Sequence, residues 1–159
     1  MSTLGKIVYL PTTSTSDQQL EFLANELNIP VSVYMNDEIV KRTLGTNTSS
    51  IVNLQSSVNP SGGSHWVCCV DVNGERIFFD SFSGFPSANV ENYLRTTPET
   101  SIKRSFVIVQ AFNSQICGSL CLYVIKKLFS GQNYGSILLE LRQKFENNDQ
   151  SPLWIFVKN

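Results

Sequence analysis

From Ser16 to Leu27 the chain is polar except at a few positions, and Leu20, Leu23, Ala24 and Leu27 recur at the spacing of one buried helical stripe. Ser16 stands where a helix cap is needed and Pro30 follows the end, so a helix is expected over this segment. Asn36 to Leu44 reads as a shorter helix, Gly45 to Ser50 as a polar loop, and Ser50 to Leu54 as a strand. The turn-forming stretch Asn59-Pro60-Ser61-Gly62-Gly63-Ser64 leads into His65 to Asp71, which is rich in strand formers. Asn73-Gly74 then predicts a two-residue hairpin turn, with Glu75 to Asp80 returning. Further on, Ala88 to Leu94 has a helical pattern and Phe106 to Val109 that of a buried strand. Leu120 to Phe129 reads as a buried helix and Tyr134 to Phe145 as an amphipathic one. Leu153 to Val157 is either a last strand or an apolar clasp. Together these elements predict an α+β fold with a mainly antiparallel central sheet flanked by helices.

Composition narrows the picture. With 159 residues, 42% of them apolar and 16% charged, residues 1–159 are expected to form a single domain with one well-buried core. Twelve basic and thirteen acidic residues give a formal charge of −1, which excludes polyanion binding through bulk charge but leaves room for a local patch. No apolar run approaches the ~18 residues that span a bilayer, and nothing near Met1 resembles a signal peptide, so a soluble, unsecreted protein is expected. Cys68, Cys69, Cys117 and Cys121 form two local pairs and read as thiols. His65 is the sole histidine, so any imidazole chemistry must be its own.

The hairpin allows a geometric test. A two-residue turn pairs Val72 with Glu75 and, counting outward, Val67 with Asp80. His65 shares a face with Val67, which puts Asp80 diagonal to His65, with Cβ atoms roughly 7–8 Å apart. Asp71 lies on that face too, but about 20 Å further along at ~3.3 Å per residue, too far to orient the histidine. Cys117 falls where the polar loop Asn113 to Ile116 gives way to a helical pattern. Unpaired N–H groups and the helix dipole there favour a thiolate, with a pKa below the free value of ~8.5. Gly118 lets a backbone or substrate approach, and Cys121 falls one turn later, under the site.

Each residue also has a plainer reading. His65 fits a satisfied strand histidine, Cys117 a small buried hydrophobe, Asp80 the start of a turn with Ser81, Ser83 and Gly84, and Gln110 a polar strand end. Trp66, on the face opposite His65, reads as core. A zinc site of His65, Cys69, Cys117 and Cys121 lacks Cys-x2-Cys spacing.

Three segments carry a resemblance: Gly62-Gly63-Ser64-His65-Trp66, Phe78-Phe79-Asp80-Ser81-Phe82, and Gln110-Ala111-Phe112-Asn113-Ser114-Gln115-Ile116-Cys117-Gly118. In this order they resemble the motifs of the adenain family, the maturation proteases of adenoviruses and their relatives in other large DNA viruses, virophages and virus-like transposons. The wider class includes the ubiquitin-like-protein proteases. The resemblance implies a cysteine endopeptidase with Cys117 as nucleophile, His65 as base, Asp80 orienting it and Gln110 in the oxyanion hole. It implies no metal or organic cofactor. It points to capsid or core precursors as substrates, cleaved at glycine-containing sites, and to action in the virion or in the cytoplasm and viral factories of a host cell. Removal of ubiquitin-like modifiers and a non-catalytic binding module are the rival readings. A viral peptide or nucleic-acid activator is not evident from the sequence, and covalent activation of adenain's kind is not implied, because no cysteine stands before Gln110 where adenain joins its activating peptide. The chain departs from many relatives at Ala111-Phe112, and its orienting acid is an aspartate where adenain has a glutamate.

Overall fold

The computed structural model describes residues 4–55 and 65–158. Its centre is a five-stranded sheet in the order β2-β3-β4-β5-β6, comprising β2 (Val31–Met35), β3 (Ser49–Asn53), β4 (Trp66–Val72), β5 (Glu75–Phe79) and β6 (Ile102–Arg104). The three middle strands are antiparallel, while β2 joins β3 and β6 joins β5 in parallel. A separate two-stranded sheet pairs β1 (Gly5–Tyr9) with β7 (Trp154–Lys158), so the clasp expected at Leu153 to Val157 is itself a strand. The antiparallel core flanked by helices is the α+β architecture expected from the sequence.

The β4–β5 hairpin has the register that counting from its turn requires, with Val72 opposite Glu75 and Cys68 opposite Phe79. Asn73 and Gly74 both take positive φ, 51° and 77°, the conformation that lets a two-residue turn follow the twist of its strands. Side chains alternate across β4 and split the core in two. Trp66, Cys68, Val70 and Val72 face one cluster, built with α1 (Asp17–Glu26), α3 (Cys117–Phe129) and α4 (Tyr134–Glu146). Val67 and Cys69 face the other, with Ile39, Leu44 and α2 (Ala88–Leu94). Burial on both faces explains why β4 reads as a continuous apolar run.

The helices begin where the sequence signals them. Ser16 caps α1 through a reciprocal capping box with Gln19, and Ser87 and Asn133 cap α2 and α4. Two expectations fail. Asn36 to Leu44 is a run of turns, because Lys41 takes a φ of 68° and Glu38 turns its carboxylate back onto the Met35 N–H. Phe106 to Val109 is no buried strand; the paired segment is β6, slightly earlier. Phe106 and Ile108 are exposed, and the Val109 N–H bonds to the Ser81 carbonyl at 2.9 Å. The apolar run there serves the rim of the molecule as much as its core.

Candidate active site

His65 precedes β4 and Asp80 follows β5, so both stand just beyond the paired ends of the hairpin. His65 Nε2 lies 2.7 Å from Asp80 Oδ1. The diagonal relation counted from the turn therefore delivers a direct hydrogen bond. Asp71, set aside on distance, is occupied elsewhere: it pairs with Arg76 at 3.0 Å and accepts the Asn47 N–H.

Asp80 is also the turn residue that its neighbours suggested, and the two roles reinforce each other. Its Oδ1 accepts the Phe82 N–H at 2.9 Å, the Gly84 N–H also bonds to the carboxylate, and Ser83 takes a φ of 60° to shape the turn. A Cβ on Gly84 would lie 2.7 Å from Asp80 Oδ2, so the turn closes on the carboxylate only because that residue is glycine. Burial alone would raise the pKa of Asp80, but His65 and the two N–H groups outweigh it and hold the carboxyl below its ordinary value. Below Asp80, its N–H donates to Ser105 Oγ at 3.0 Å.

Cys117 opens α3, where Ile116 supplies no side-chain cap. The free N–H groups of the first turn are left to the sulfur. The Trp66 N–H donates to Sγ at 3.4 Å, and the Gly118 N–H also bonds to it. The His65 ring is hydrogen-bonded to Cys117 as well as to Asp80, which leaves Nδ1 for the sulfur. Burial pushes the thiol pKa up, yet the His65 hydrogen bond, the two N–H groups and the imidazolium charge bring it below its ordinary value. For His65, burial pulls the pKa down, but Asp80 and Cys117 raise it to about 9. The pair is thus arranged to exist as thiolate and imidazolium near neutral pH.

The other thiols are different. Cys68 and Cys121 lie in one core cluster and Cys69 in the other, all fully buried. Burial drives Cys69 and Cys121 far above the ordinary range. Because Cys69 faces away from Cys117 and Cys121, the four-residue zinc arrangement does not assemble, and no metal-holding cluster of three or more ligands exists among the described residues. Brief iodoacetamide treatment should therefore label Cys117 first among the four, as located by peptide mass spectrometry. Faster labelling of Cys68 or Cys69 would overturn the choice.

Of the two uses expected for Gly118, the close approach of another part of the chain is the one observed. A Cβ there would fall 2.2 Å from Thr15 Oγ1 and 3.1 Å from Leu20 Cδ2, so the space is filled by the protein's own α1 segment, not kept for a substrate. Trp66 is core, as expected, with its indole N–H donating to the Thr15 carbonyl at 3.1 Å.

Gln110 is buried, 2% exposed. Its Nε2 donates to the Ser114 carbonyl at 2.9 Å and its Oε1 accepts from Ser81 Oγ. The sequence marks Ser81 only as a turn neighbour of Asp80 and as a member of the Phe78 to Phe82 segment, with no contact to Gln110 foreseen. Two aromatic rings rim the site: Phe82 lies 4.9 Å from the His65 ring centre, and Phe112, 95% exposed, lies 6.4 Å from Phe82. Gly62, Gly63 and Ser64, which open the first of the three segments that carry the resemblance, lie outside the described residues.

No family model matches the sequence, and no curated protein matches it. Among solved structures, the fold is similar to that of the ASFV pS273R protease in its selenomethionine form. The TM-score is 0.56 at 15% identity, with 84% of this chain and 67% of that one covered. At that identity the likeness establishes a shared fold.

Proposed function

We propose that the chain is a cysteine endopeptidase of a DNA virus or virus-like element that cuts viral precursor proteins through Cys117, His65 and Asp80. The observation that carries the reading is the unbroken line of contacts from the Asp80 carboxylate through His65 to the Cys117 sulfur at an uncapped helix start. A shared fold with a viral protease supports it. A binding module without turnover would gain nothing from a thiol held below its ordinary pKa beside an imidazolium.

The chemistry follows from the contacts. The Cys117 thiolate attacks the peptide carbonyl, a C–S bond forms, and the carbonyl π electrons move onto oxygen. The Gln110 amide and the Cys117 N–H receive that charge. On collapse the C–N bond breaks, and the amine leaves with the His65 proton. His65, now neutral, takes a proton from water as that water attacks the thioester. Breakdown of the second adduct releases the acid and restores the thiolate and imidazolium. Asp80 keeps Nε2 as the donor end of the ring throughout and stabilises its charged form.

Hydrolysis should fall as pH rises past about 9, because His65 then lacks the proton the amine needs, while alkylation of Cys117 should persist at the same pH. A narrow channel over Cys117, beside the Ala111-Phe112 loop whose Phe112 ring lies against Phe82 and so near His65, would leave no room for a β-carbon and select glycine directly before the scissile bond. Profiling against a peptide library tests the reading. Cleavage after glycine with that pH profile is the expected result. Selection for a bulky or charged residue at that position removes the glycine preference, and absence of any cleavage removes the endopeptidase assignment.

A further inference from the structure

Ser81 follows the residue that orients His65, yet its own contacts run the other way, toward Gln110. It is fully buried, and its carbonyl and its hydroxyl are both engaged. The carbonyl accepts the Val109 N–H at 2.9 Å, which ties down the chain immediately before Gln110. The hydroxyl donates to Gln110 Oε1. At the other end of the same amide, Nε2 faces the Ser114 carbonyl. A carbonyl can only accept, so the NH2 group must be the end beside Ser114, and Oε1 must be the end beside Ser81. One of the two N–H bonds of Nε2 is used there, which leaves the other for an incoming oxygen.

The orientation matters because a glutamine amide has two faces of opposite polarity at nearly equal size. Turned by half a rotation it would present Oε1, an acceptor, to the oxygen on which negative charge builds. We propose that Ser81 is the positioning residue for Gln110: by donating to Oε1 it fixes the amide so that Nε2 faces the oxyanion. The inference rests on the protease reading above and assigns Gln110 its working orientation. It also makes Asp80-Ser81 a single dipeptide that aligns both arms of the site, the base through one side chain and the oxyanion donor through the other.

A peptide aldehyde separates this role from a general effect on the fold, because its adduct with Cys117 places an oxygen where the oxyanion forms, whereas iodoacetamide alkylation needs no such donor. Ser81→Ala is expected to lower kcat and aldehyde affinity by about tenfold, the order of one neutral hydrogen bond, with KM and the pH profile of alkylation unchanged. Combined with Gln110→Ala it should add little to the loss from Gln110→Ala alone, because the two residues act as one unit. Ser81→Thr, which keeps the hydroxyl, should retain more aldehyde affinity than Ser81→Ala. The role is overturned by unchanged aldehyde affinity in Ser81→Ala, by losses in the two single variants that multiply, or by a parallel fall in alkylation rate. It is also overturned if Ser81→Thr folds, alkylates normally and loses as much affinity as Ser81→Ala. A wild-type protein that alkylates at Cys117 but neither cleaves peptides nor binds aldehydes sinks the protease reading itself, and this role with it.

Discussion

Cys117→Ala is expected to reduce peptide cleavage by about 10⁶-fold, the order of loss when the nucleophile of a concerted triad is removed, while leaving the fold intact. The side chain is small and sits at a helix start, so its loss opens little space, and the remaining contacts of α3 with the sheet persist. His65→Ala should cost nearly as much. Without the imidazole, the thiol keeps the Trp66 and Gly118 N–H groups but loses both the largest influence that lowers its pKa and the proton donor for the leaving amine. The two losses should not multiply in the double variant, because each alone already disables the unit. Asp80→Ala should be milder, since His65 keeps its hydrogen bond to Cys117 and is disabled only in orientation and charge. Steady-state rates on a cleavable peptide, with far-ultraviolet circular dichroism as the control for folding, provide the measurement. Near-wild-type turnover in either Cys117→Ala or His65→Ala would falsify the catalytic assignment.

Gln110→Ala should lower kcat by about 10²–10³ with little change in KM, because an oxyanion donor is used mainly in the transition state. The side chain is buried and holds the Ser114 carbonyl, so some loss of stability is expected as well, and thermal melting of the variant separates the two effects. Alkylation of Cys117 by iodoacetamide should be unaffected. A kcat within threefold of wild type would make Gln110 a structural residue of the 111–116 loop and leave the Cys117 N–H as the principal donor.

Much of this site was legible in the sequence because its most exacting relation is local. The Asn73-Gly74 turn sets the hairpin register, and the register alone brings Asp80 to His65. Cys117 was legible for a related reason: the change from polar loop to apolar helix marks a terminus, and a terminus has N–H groups to spare. Relations across the core were not. Strands β1 and β2 were missed because Gly5 to Tyr9 and Val31 to Met35 are short and largely exposed or half-buried, so no clear period appears, and their partners lie far off in the chain. The same limit hid Ser81, whose proposed role depends on a residue 29 positions later. Phe106 to Val109 failed in the opposite way. Its four apolar residues suggested burial, but the chain there passes along the rim and turns Phe106 and Ile108 outward.

The base and its acid hang from one hairpin, 15 residues apart, whereas the sulfur reaches them from a helix, bonding to Trp66 across 51 residues. Order of assembly follows from that separation. A hairpin closes within about 1–10 μs, and contacts of high sequence separation come later. During synthesis the hairpin residues are made before those of α3, so the imidazole has no thiolate beside it until α3 is made and docked. Until α3 docks, Cys117 is an ordinary thiol with a pKa of ~8.5, mostly protonated in the cell. If the chain is the protease proposed above, it gains the capacity to cut only once α3 has docked, so incomplete copies would not attack their neighbours.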